Sequence, residues 1–276
     1  MNIHIKFLVI LFAVACLSAC STVPISGRTR IALMTTPVQE EKLGDQAWQQ
    51  IQQKEKLTSN KNMSDAVKRV GQRIAKVANA YADNFKWEFK TFESDQANAF
   101  CLPGGKVAVY TGLFQYADCD AELAHVMGHE IGHAIARHGG ERISEEQVRQ
   151  VGGNIVSALS GKKYSKLASV VYGGATQLGV MLPYSRTHEY EADEIGLQLM
   201  AKAGYDPQYA LLFWQKFAEA GKIANWQEFL STHPISSKRL TSMKKQLPMA
   251  IEYYNKASEK LKSGQVYTWK KKLKSK

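Results

Sequence analysis

His129 and His133 bracket Glu130 in the run Gly128-His129-Glu130-Ile131-Gly132-His133, an H-E-x-x-H spacing inside a stretch that reads as helix. Residues four apart on a helix lie about 40° apart around its axis, so both imidazoles can reach one ion while the carboxylate beside them stays free. That chemistry is zinc-assisted hydrolysis. The nitrogens hold the ion, water becomes acidic enough to attack at neutral pH, and Glu130 takes the proton as a base, not as a ligand.

A catalytic zinc normally has three protein ligands and an open position, so one more ligand is required. The spacing H-E-x-x-H-x-x-G-x-x-H would need Gly at 136 and His at 139, where the chain has Ala136 and Gly139, which excludes that class. His138 is one step off and reads as a surface or helix-end histidine pointing elsewhere. A better candidate lies in Ser185-Arg186-Thr187-His188-Glu189-Tyr190-Glu191-Ala192-Asp193. Glu189 and Asp193 share a helix face, so Glu189 can bind the ion while Asp193 accepts the free N–H of a ligand imidazole. Glu191, about 200° round from Glu189, reads as solvent-facing and is next in line as a ligand. His125, one turn before His129, reads as core packing.

These residues need elements to carry them. Apolar spacing predicts helices over Pro37–Lys56 and Asn62–Tyr81. Trp87–Glu93 alternates as a strand, and Ala97–Leu102 and Lys106–Tyr110 flank Pro103-Gly104-Gly105 as a hairpin. From Asp120 onward the chain reads helical, with Asp120 as N-cap of the His129 helix and a stop near Gly139-Gly140. Further helices are expected over Ile143–Leu159, Tyr164–Met181, broken by Pro183, and Ser185–Ala203, closed by Gly204. Asp206-Pro207 opens the next, and helices from about Ser236 and Ile251 follow. One catalytic domain over residues 37–262 accommodates them all.

The first 19 residues carry Lys6, a short apolar run from Phe7 to Ala15, and then Leu17-Ser18-Ala19-Cys20. The run is too short for a bilayer span and reads as a signal peptide. L-S-A-C resembles the bacterial lipobox, which implies that Cys20 becomes the lipidated, palmitate-bearing first residue. Ser21, in place of Asp, implies an outer-membrane destination facing the periplasm. Residues 20–36, with Pro24 and Gly27, read as a lipid anchor and tether. Cys101 and Cys119 then remain as ordinary thiols, compatible with a disulfide or with two buried cysteines. The 36 Lys and Arg against 25 Asp and Glu give a formal charge of +11, with lysines concentrated in the basic tail, residues 263–276. A solvated end is the simpler reading of that tail. Anionic surfaces are its natural contact, and no nucleic-acid module is present to suggest that partner.

Beyond these local readings the chain resembles the gluzincin metallopeptidases of the CAAX prenyl protease, HtpX and BepA type. The resemblance is carried by N-A-F at Asn98–Phe100, P-G-G at Pro103–Gly105, T-G-L at Thr111–Leu113 and H-E-I-G-H at His129–His133. S-R-x-x-E-x-E-A-D at Ser185–Asp193, A-G-Y-D-P at Ala203–Pro207, and T-H-P with a following Arg at Thr232–Arg239 complete it. It covers about residues 36–247 and implies an α+β, mostly helical zincin-type domain, with a small β-hairpin edge strand beside the active-site helix. It further implies one Zn2+ on His129, His133 and Glu189, with Glu130 as general base and acid and Asp193 supporting a ligand. Asn98, Ala99 and Phe100 would lie on an edge strand to which extended peptide adds. His233 would either close the zinc site or position substrate, and Arg239 would pair with a carboxylate or steady an oxyanion. The implied function is a lipid-anchored envelope endopeptidase acting on misfolded or stalled proteins. The alternative is a chaperone or outer-membrane assembly factor with a largely latent site. His125 departs from the family, which usually has a small residue there, and neither a multi-span architecture nor a repeat domain is evident.

Overall fold

The computed structural model describes residues 20–31, 35–146, 184–220, 233–234, 236–262 and 264–269. The expected signal peptide, the helix Ile143–Leu159 beyond residue 146, the helix Tyr164–Met181 and most of the basic tail lie outside them; residues 143–146 are helical. Where a tether was expected, β1 (Cys20–Thr22) and β2 (Thr29–Ile31) pair antiparallel as a small hairpin. Two amphipathic helices follow, α1 (Pro37–Lys54) and α2 (Lys61–Ala78), with a Thr36–Gln39 capping box on the first and Asn60 capping the second.

The expected strands form one mixed sheet of β3 (Glu88–Phe92), β4 (Ala99–Leu102) and β5 (Lys106–Tyr110), in the order β3-β5-β4. β4 and β5 are the expected hairpin, turned by Gly104 and Gly105, both at φ +85°, a conformation that glycine adopts without Cβ strain. β3 pairs parallel with β5, which leaves β4 as an edge strand.

The core centres on α3 (Asp120–Ile135), packed against α4 (Arg186–Lys202) and flanked by α2 and β4. α3 is buried from Ala121 through Ile135, so its polar residues sit inside the protein. Its N-cap is Cys119, not Asp120; Asp120 is the first helical residue and pairs with Arg69, while Glu122 accepts the Asp118 N–H. α3 also stops before Gly139-Gly140, because Arg137 turns into the left-handed region at φ 58°. α5 (Gln208–Ala220) and α6 (Ser237–Lys256) complete the helical layer. α6 runs through Pro248, so the separate helix expected from Ile251 is its second half.

Glycine controls the approach of α3 to α4. A Cβ on Gly196 would lie 2.7 Å from the His129 nitrogen, and one on Gly128 would lie 2.9 Å from the Gly196 oxygen. Both contacts are with backbone, which cannot swing aside. Gly196→Ala should therefore cost about 1–3 kcal/mol of stability as an overpacking change. Gly139→Ala, where no atom lies within 4 Å of the new Cβ, should be neutral or slightly stabilising in the same urea titration.

Candidate active site

α3 supplies His129, Glu130 and His133, α4 supplies Glu189 and Asp193, the segment before α6 supplies His233, and the first turn of α6 supplies Arg239. All seven are at most 4 % exposed. One donor atom from each of His129, His133, Glu189 and His233 lies within 4.8 Å of the others. His129 Nε2 is 3.1 Å from His133 Nε2 and 3.3 Å from His233 Nδ1. The Glu189 oxygens stand 3.6, 3.4 and 3.1 Å from His129, His133 and His233. Four donors about 2.0–2.1 Å from one ion in a tetrahedron lie about 3.3–3.4 Å apart, so the cluster has the spacing of a four-ligand zinc site.

Hydrogen bonding behind the imidazoles supports the same fit. His129 Nδ1 is 3.0 Å from Asp193 Oδ1; a carboxylate can only accept, so this contact favours the tautomer with the proton on Nδ1 and the Nε2 lone pair facing the cluster. Burial would raise the Asp193 carboxyl, but Arg239 and His129 hold it at about 2, so it remains an anion at neutral pH. Arg239 places Nη2 2.7 Å and Nε 2.8 Å from the Asp193 oxygens, while Nη1 reaches Glu189 at 2.5 Å. It is thus a buried counter-ion to both carboxylates. Glu130 lies outside this lattice, with Oε1 3.4 Å from His233 Nε2. Burial raises its carboxyl above the ordinary glutamate value, which suits a group that must take a proton.

Residues 62–247 match peptidase family M48. The chain belongs to peptidase family M48. Zinc is the metal of M48 peptidases and the His/Glu cluster fits it, so the chain is a zinc metalloendopeptidase. Its similar proteins include the mitochondrial metalloendopeptidase OMA1 of Saccharomyces cerevisiae, 31% identical over 85% of this chain and 71% of that protein. OMA1 of Arabidopsis thaliana is 39% identical over 60% of the chain and 32% of the relative. The β-barrel assembly-enhancing protease of Escherichia coli is 29% identical over 78% of the chain and 46% of the relative. This M48 chain therefore spans under half the length of the last two.

Two residues were misread from the sequence. Glu191 does not face solvent: it is 5 % exposed, bonded to Ser26 and, at 2.8 Å, to Arg28 Nε. Angular position on α4 cannot reveal that the β1–β2 hairpin covers that side. His138 is fully buried, its Nδ1 2.8 Å from His133 Nδ1 and its Nε2 2.8 Å from Glu191. The turn at Arg137 swings it back, so one-step-off helical spacing did not apply. Tyr184, stacked on His133 with ring centroids 3.8 Å apart, carried no sequence signal. His125 does pack in the core, between Phe213 and Trp214. Cys101 and Cys119 are buried free thiols.

Arg239→Gln leaves two buried carboxylates without their cation and should cost about 3–5 kcal/mol. Arg69→Gln, which breaks a half-exposed pair with Asp120, should cost under about 1 kcal/mol in the same denaturant titration.

Proposed function

We propose that this chain is a lipid-anchored endopeptidase of the bacterial envelope that cleaves misfolded or stalled proteins, with His129, His133 and Glu189 as zinc ligands and Glu130 as general base. The observation that carries the site assignment is the convergence of these three donors, with His233 as a fourth, beside a buried carboxylate that belongs to none of the ligand contacts. Zinc, when bound, supplies a Lewis acid that polarises a carbonyl and acidifies water. Glu130 accepts the proton of the attacking water and returns it to the leaving amine. Asp193 fixes the His129 ring, and Arg239 pairs with Asp193 and Glu189 and holds both in place.

Substrate binding is assigned to β4, the sheet edge packed against α3. An extended peptide adding there would bond chiefly to main chain of Ala99 and Phe100, which reads a free backbone with little regard to side chains. Asn98 shapes the start of that strand, since its carbonyl accepts from Tyr110 and its side-chain oxygen from the Ala99 N–H. A preference for unfolded clients follows. The anchor rests on Leu17-Ser18-Ala19-Cys20, and the envelope setting on similarity to an E. coli protease named for enhancing β-barrel assembly. The described residues include no helix long and apolar enough to cross a membrane. Localisation on the periplasmic face of the outer membrane is part of the same proposal, as is contact of the C-terminal lysines with anionic surface.

His233 favours a gated enzyme over an open one. Its Nδ1 stands at ligand spacing from both His129 and Glu189, where a fourth donor would compete with water. This is also what a largely latent assembly factor would need.

Three measurements test the proposal. Glu130→Gln should retain one zinc per chain and lose casein cleavage by at least roughly a hundredfold; loss of the metal would reassign Glu130. His233→Ala should raise basal cleavage if the residue closes the site, whereas a tenfold or greater fall would make it a transition-state group. Cys20→Ser should move the protein from the membrane fraction to the soluble one, and unchanged partition would shift membrane attachment to the basic surface.

A further inference from the structure

Behind His133 lies a second chain of polar contacts that the reaction does not use. His138 Nε2 is 2.8 Å from Glu191 Oε2, and His138 Nδ1 is 2.8 Å from His133 Nδ1. The Glu191 carboxylate also takes Arg28 Nε at 2.8 Å and Arg28 Nη2 at 2.7 Å, the contacts of an anion. As an anion it only accepts, so the proton between it and His138 sits on Nε2. A neutral His138 then offers a lone pair at Nδ1, and the bond to His133 closes only if His133 Nδ1 carries the hydrogen. His133 Nε2 is left unprotonated and faces the cluster.

We propose that His138 and Glu191 are positioning residues that fix the tautomer and orientation of His133 for zinc, an indirect counterpart to the direct Asp193 support of His129. The inference rests on His133 being a ligand. The two supports differ in kind: a single 3.0 Å contact holds one ring, while an imidazole is interposed in the other. The interposed ring is itself clamped. It stacks on His188 at 4.3 Å with an interplanar angle of 21°, and His188 Nε2 meets Glu141 at 2.6 Å. Arg28 joins the two carboxylates, with Nη2 2.8 Å from Glu141 and 2.7 Å from Glu191. The β1–β2 hairpin thereby contributes to the zinc site through three successive contacts, Arg28 to Glu191, Glu191 to His138 and His138 to His133. Removing a partner that orients a metal-bound histidine commonly weakens the metal by roughly 10–100-fold.

The test is zinc affinity by competition with a chelator, measured on the full chain in wild type, His138→Phe, His138→Asn and His133→Ala. Phenylalanine fills the ring volume and removes the acceptor, and should weaken zinc by roughly 10–100-fold. Asparagine places Oδ1 near the lost Nδ1 and should restore affinity to within about threefold, which a purely packing role would not produce. Wild-type affinity in a folded His138→Phe, or equal weakening by Phe and Asn, overturns the relay. His133→Ala isolates the underlying assignment: if it binds zinc as wild type does, His133 is not a ligand and the reading beneath the relay fails. Should His138→Phe fail to fold, 15N NMR of the histidine rings in wild-type apoprotein decides the matter. A His133 ring protonated at Nδ1 supports the relay, and one protonated at Nε2 excludes it.

Discussion

Burying carboxylates is the constraint on which this structure turns. α3 and α4 lie against each other through glycine, and the side chains that reach the cluster are removed from water together. An unpaired charge there would be prohibitive, so each buried acid receives a cation or an imidazole from a different part of the chain. α6 brings Arg239 to Asp193 and Glu189. The β1–β2 hairpin brings Arg28 to Glu141 and Glu191, α5 brings Lys216 to Glu122, and Arg137 closes on Glu40 of α1. The peripheral elements are docked by the charges of the central pair.

That arrangement explains the division of labour among the polar residues. Groups that reach the cluster from the facing sides of α3 and α4 are placed to hold or serve the proposed ion, whereas groups on the outer sides accept or donate to them from behind. Asp193 and Glu191 lie on the same helix two residues apart, and each ends at a histidine of α3, one directly and one through His138. Two helices thus carry three of the four donors and the two carboxylates behind them, which is why glycine at 128 and 196 matters so much: a methyl group between the backbones would displace both sets at once.

Local periodicity made the pairings within one helix readable. His129 with His133, and Glu189 with Asp193, are i, i+4 relations that follow from helix geometry alone. The hairpin of β4 and β5 was readable from Pro103-Gly104-Gly105, and the buried His125 from its place on the apolar stripe. What failed involved partners distant in sequence. The parallel pairing of β3 with β5, the coverage of Glu191 by Arg28, and the return of His138 to His133 depend on tertiary packing that a periodicity count does not contain. The separate helix expected from about Ile251 failed in the other direction, since α6 continues through Pro248. The N-terminal region, read as a tether from its Pro and Gly, folds because Ser26 and Arg28 have buried carboxylates to meet.

The proposed ligand cluster is enclosed, with His129, His133, Glu189 and His233 between 1 and 3 % exposed. With all four donors this buried, water must first reach them before it can replace one. Exchange must wait for a local opening of the segment that carries His233 or for separation of α3 from α4, and its rate is then the rate of that opening. Metal retention becomes a kinetic property of the fold, so a protein loaded once would keep its zinc through encounters with competing chelators far longer than the equilibrium constant alone suggests.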